Sequence, residues 1–98
     1  MTDRATWVNK RFPGVGLDAA ELAISRSVVG IAIDTLSIDR GVATDLPVHN
    51  TTLPAELWQV EGLIGLDRLP PTGALLVVGV PSVVEASGFP ARVFCIVF

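Results

Sequence analysis

Residues 28–61 read VVGIAIDTLSIDRGVATDLPVHNTTLPAELWQVE, and the reading of this stretch decides the fold. Its first segment, VVGIAID (28–34), is apolar and β-branched and is bounded by turn-forming residues, which predicts a buried strand ending at Asp34. A polar loop, TLSIDRGVATDLP (35–47), follows. After it come His49, the single histidine of the chain, and Glu61, twelve residues later within WQVEGL. In α/β sheets, ligands bind in the crevice outside the carboxyl ends of the strands. The chemically distinctive residues therefore fall in the loop that such a fold uses.

Working outward, FPGVG (12–16) predicts a turn, and a helix is expected to start at Leu17 or Asp18. Asp18 and Glu21 suit the positive helix N-terminus, and Arg26 suits the other end. Leu17, Ala20, Ile24 and Val28 recur at helical spacing and define the face that packs on the sheet. Residues 1–11 carry no periodicity and read as an irregular lead-in, anchored by Trp7 and Phe12. Downstream, Thr51 or Thr52 is expected to cap a short turn at 53–56, and 57–63 reads as a strand with Glu61 inside it. Residues 65–69 read as one further helical turn closed by Pro70 and Pro71, and 74–80 and 91–98 as two more strands. The class this order predicts is α/β, with a mixed, mostly buried sheet and one main helix, too little to cover both faces of such apolar strands.

Composition points the same way. Of 98 residues, 50% are hydrophobic and only 17% charged, against about 25% charged in ordinary soluble domains. The surplus apolar surface is expected to meet another copy, another chain or a further part of the same domain. A net charge of −3 without a basic patch argues against nucleic-acid binding. No apolar run approaches the length of a membrane span, and the N-terminus lacks the pattern of a secretory signal. Cys95 is alone, which excludes an internal disulfide, and it sits in an apolar run as a small hydrophobe. A cytoplasmic protein is expected.

Imidazole and carboxylate are common ligands of divalent zinc or manganese, which singles out His49 and Glu61. Asp34, Asp39 and Asp45 lie in the same loop as further oxygen donors. Weighed on spacing alone, a lone histidine is more often a hydrogen-bonded structural residue than a ligand. Thr35 and Ser37 offer hydroxyls, yet loop hydroxyls mostly form turns. FPGVG is no phosphate loop, because no Lys-Ser/Thr follows it.

Four strings in order, FPGVGLDAAELAISRSVVGIAIDTLSID, PVH, VEGLIGLDRLPPTGALLVVGVP and SGFPARVF, resemble the C-terminal half of the cyclase family, which includes bacterial kynurenine formamidase and isatin hydrolase. The resemblance runs over nearly the whole chain from Phe12 on. It implies residues 12–98 as the C-terminal half of a partial cyclase-like swivelling α/β domain, and metal-dependent hydrolysis of amide or lactam C–N bonds. His49 and Glu61 match family metal ligands for zinc or manganese, and Asp34, Thr35 and Ser37 match an active-site loop; which residue is catalytic stays open. The family's His-x-Gly-Thr-His-x-Asp motif is absent, since the chain has one histidine, so this half is expected to be inactive alone. The partner expected is a complementary chain carrying that motif, or another copy, with a small-molecule amide as substrate. The alternative expectation is a non-catalytic interaction module, or a gene remnant, that self-associates through its sheet.

Overall fold

A computed structural model describes residues 11–98. The chain divides into two compact units, one ending at Ile64 and the other Gly65–Phe98. The lead-in expected over 1–11, with Trp7, lies outside the described residues except for Arg11. Phe12 is an anchor as expected, with 7% of its surface exposed.

Helix α1 spans Leu17–Ser25 and strand β1 Gly30–Ala32. Helix α2 spans Pro47–Thr52 and strand β2 Trp58–Val60. β1 and β2 pair in parallel, with Gly30 opposite Trp58 and Ala32 opposite Val60. Parallel neighbours require a crossover connection, and the segment carrying α2 supplies it. Glycine at position 30 leaves room for the Trp58 ring of the paired strand, which a Cβ there would run into.

The α/β class stands, but in place of one mixed, mostly buried sheet the strands form two separate two-stranded ladders, one parallel and one antiparallel, and among the described residues no strand residue is buried. The second unit holds a 3-10 turn, Leu66–Arg68, where the helical turn was expected, and strands β3 (Leu75–Gly79) and β4 (Arg92–Ile96). β3 and β4 are antiparallel, with Val77 opposite Phe94.

Several boundaries differ from the sequence reading. The strand expected over 28–34 is only three residues long, and Val29 is 70% exposed. The reason lies in the end of α1. The Val28 N–H donates to Ala23 O and the Ser27 N–H to Ile24 O, closing a left-handed stop with Ser27 at φ 58°. Val28 thus leaves the helix and is exposed, as is Leu17. Of the expected face, Ala20 is buried, in a cluster with Ile38 and Val48 against which Val15, Ile31 and Ile33 pack, and Ile24 is half-buried.

Residues 53–56 do form a turn, but Thr51 and Thr52 do not cap it. They close α2, each hydroxyl donating to the carbonyl four residues back, Pro47 O and Val48 O. Pro47, read as the last residue of the loop, is the first residue of that helix, a position where its missing N–H is no loss. Glu61 lies just past β2 rather than inside a strand.

Candidate functional site

Two loops leave the carboxyl ends of the parallel strands and are stitched together. The Ile33 N–H donates to Val60 O (2.9 Å), the Leu63 N–H to Ile33 O (3.1 Å) and the Gly62 N–H to Thr35 O (2.7 Å). The loop after β1 carries Asp39, and the loop after β2 carries Glu61. Between them stands α2, with His49 in its first turn.

Asp39 is the residue on which this arrangement turns. It is buried, with 1% of its surface exposed. Its Oδ1 accepts the Val48 N–H (2.8 Å), and its Oδ2 accepts the His49 N–H (3.0 Å). Oδ2 also lies 2.7 Å from His49 Nδ1. The first N–H groups of a helix have no partner within it. Leu46, which precedes α2, offers no side-chain cap, and Pro47 has no N–H. Asp39 therefore caps α2 from a distance. Burial acts to raise the Asp39 pKa, but hydrogen bonds from the His49 amide, the His49 ring and the Val48 amide, with the imidazole charge, overcome it and hold the carboxyl below the ordinary aspartate range.

A tight backbone crossing seats the Asp39 loop. The Val15 N–H donates to Ile38 O (2.8 Å) and the Gly41 N–H to Phe12 O (3.0 Å). A Cβ on Gly14 would run into the backbone of Asp39 and Arg40. FPGVG is thus a close-approach segment that fixes the loop from behind.

His49 Nε2 faces Glu61, whose Oε2 is 3.6 Å away. That same Oε2 accepts the Ile38 N–H at 2.7 Å, which fixes the carboxylate against the loop. Both side chains remain partly open, with 22% of His49 and 34% of Glu61 exposed.

The donor set can be tested against a divalent metal. Ligand distances of about 2.0–2.2 Å in a tetrahedral shell put a nitrogen and an oxygen donor about 3.4 Å apart. The observed 3.6 Å is close to that spacing. The pair nevertheless makes only half a shell: no group of three His, Cys, Asp or Glu among the described residues could hold an ion. Asp39, one of the three aspartates named as further donors, has its oxygens committed to α2 and to His49.

The other residues singled out from sequence are placed as follows. Asp34 is half-buried, two residues past the end of β1. Thr35 is buried and its hydroxyl donates to Ser37 O at 2.8 Å. Ser37 Oγ accepts the Asp39 N–H at 3.2 Å. These bonds shape the loop that delivers Asp39. Asp45 is exposed, and its carbonyl accepts from the Asn50 side chain. Cys95 lies half-buried on β4, in the other unit. No helix of the described residues is long and apolar enough to cross a membrane.

No protein-family model matches the chain. The chain is similar to isatin hydrolase of Roseibium aggregatum, with 29% identity over 89 residues, covering 87% of this chain and 34% of that protein. The chain thus spans about a third of the length of the curated relative it matches.

Proposed function

We propose that this chain forms part of a metal-dependent hydrolase site that opens amide or lactam C–N bonds, with His49 and Glu61 as two of the metal ligands. The observation that carries this reading is the convergence of His49 Nε2 and Glu61 Oε2 at the carboxyl ends of two parallel strands. The similarity to isatin hydrolase supports the hydrolase part of this reading. On this reading residues 12–98 are the C-terminal half of a cyclase-like domain. The remaining ligands come from polypeptide beyond these 98 residues, in the same protein or in a complementary chain. The setting proposed is the cytoplasm, in keeping with a single cysteine.

A zinc or manganese ion held in part by His49 and Glu61 would supply Lewis acidity toward a scissile carbonyl and lower the pKa of a water. The chain's own residues do the placing. His49 turns Nε2 outward from a helix whose first turn is held by Asp39. Glu61 is oriented by the Ile38 N–H, and on this reading Asp34, Thr35 and Ser37 belong to the active-site loop.

The test measures metal content and hydrolysis of isatin or N-formylkynurenine in the protein completed with the remaining ligands. His49→Ala and Glu61→Gln are each expected to lower both by at least about 10–100-fold, the loss that removal of even an outer-shell partner can cause. Glu85→Gln, in the exposed loop before β4, should change neither. Metal retained in full by His49→Ala would remove His49 from the shell and end this reading.

A second reading, a non-catalytic module that associates through its sheet, is favoured by one observation. No residue of Gly65–Phe98 is buried, and Val84 and Phe98 are 87% and 91% exposed. It calls for self-association without metal.

A further inference from the structure

We propose that Asp39 is the positioning residue of this site: its carboxylate fixes the His49 ring as the tautomer protonated on Nδ1 and leaves the Nε2 lone pair turned toward Glu61. The inference rests on the reading of His49 as a ligand for its use, but not for its physics.

The geometry allows one neutral tautomer. Asp39 Oδ2 lies 2.7 Å from Nδ1, a hydrogen-bond distance at which a carboxylate needs a proton on the facing nitrogen. In the opposite tautomer, the Nδ1 lone pair would face that oxygen across the same 2.7 Å. Its Nε2–H would then point at Glu61 Oε2, 3.6 Å away and beyond a useful hydrogen bond. The opposite tautomer therefore gains no bond at either end. In water the imidazole ring prefers the proton on Nε2, so the arrangement needs a partner that enforces the other form. The nitrogen left bare is set by the bond that its neighbour makes.

Ring orientation is fixed together with the tautomer. Oδ2 accepts both the backbone N–H and the ring of the same residue, which ties His49 at two points. Oδ1 ties the preceding residue, Val48. One buried carboxylate thereby sets where α2 begins and which nitrogen it presents. A ligand histidine commonly gives its second nitrogen to a carboxylate in this way.

The experiment uses the chain's single histidine. In the nitrogen-15-labelled, folded protein at a pH where the ring is neutral, long-range proton–nitrogen correlation reads both ring nitrogens of His49 without ambiguity. The expected result is a proton-bearing Nδ1 and a bare Nε2. A bare Nδ1, or the averaged signals of a free imidazole, would overturn the proposal, and this measurement needs no variant. Asp39→Ala should shift the folded protein toward Nε2–H, and an unchanged tautomer there would overturn it as well. Thr52→Val is the structural control: it removes a bond within α2 and should lower stability while leaving the tautomer alone. A tautomer change in Thr52→Val as large as in Asp39→Ala would show that helix integrity, rather than the carboxylate, sets the ring. Added zinc separates the two readings. Zinc that leaves the Nε2 signal unmoved in the protein completed with the remaining ligands counts against His49 as a ligand and leaves the tautomer assignment standing.

Discussion

The unit ending at Ile64 and the unit Gly65–Phe98 are both rich in apolar residues, yet they use them differently. Every buried side chain among the described residues lies between Phe12 and Leu57. In the second unit β3 and β4 are five residues each and almost wholly apolar, and none of their side chains is buried. The contrast teaches that apolar content does not by itself make a core. In the first unit a helix, a crossover and a tight glycine approach close around Ile38 and Val48. A two-stranded ladder has two faces and no layer of its own to cover them.

The largest expected effect separates the two units most sharply. Asp39→Ala removes the acceptor of two helix N–H groups and of the His49 ring, all at a buried position. Leaving buried polar groups unsatisfied in this way is expected to cost about 3–5 kcal/mol, read as a fall in the urea midpoint. A loss no greater than that of a surface substitution would break the comparison at its centre.

Next comes a matched pair of truncations. Ile38 is fully buried, so Ile38→Ala should cost about 2–4 kcal/mol. Phe94 is 46% exposed on β4, so Phe94→Ala should cost under about 1.5 kcal/mol despite its larger ring. Equal costs in the same unfolding assay would mean that the β3–β4 ladder has a cover in solution.

A third expectation concerns acid. Because the Asp39 carboxyl is held below its ordinary range in the folded chain, the unfolded chain takes up that proton more readily. This contribution is therefore complete above the unfolded value of about 3.9 and is lost as pH falls through the folded value. Stability followed from pH 6 downward should drop more steeply in the parent than in Asp39→Ala. Parallel slopes would show that another carboxylate governs the acid transition.

The smallest effect on stability should come from the most exposed side chains. Val84→Ser with Phe98→Ser should change the melt by no more than about 0.5 kcal/mol per site. On the interaction reading, the parent sediments as more than a monomer at micromolar concentration, and this double variant shifts toward monomer. A parent that is monomeric throughout would leave the exposed ladder without a role in self-association.

The candidate pair could be picked out before the fold. His49 and Glu61 stood out as the single histidine and a carboxylate in an apolar stretch, and the loop after the first strand was the place to look. Asp39 was named only among three loop aspartates. Nothing local in LSID marks its carboxylate as buried, since Asp39, Asp34 and Asp45 are equally polar as letters. What distinguishes Asp39 is Gly14 crossing behind it and α2 arriving in front with two unpaired N–H groups, events 25 residues and nine residues away in sequence. The stop of α1 was hidden for a related reason. Ser27 takes a left-handed conformation more typical of glycine, and the apolar Val28 and Val29 beyond it look like strand while lying exposed.

The sequence by itself determined the α/β class, the order of the elements other than α2, the presence of one strong helix, and the two side chains of the candidate pair, because periodicity, turn residues and rare residue types act locally. Tertiary structure alone decided that Glu61 lies within 3.6 Å of His49 and that Asp39, rather than a nearer aspartate, starts α2. It alone decided that the last two strands pair without a core. Those outcomes depend on which distant backbone groups are left unpaired once the chain has closed, and a buried carboxylate goes where the most donors await it.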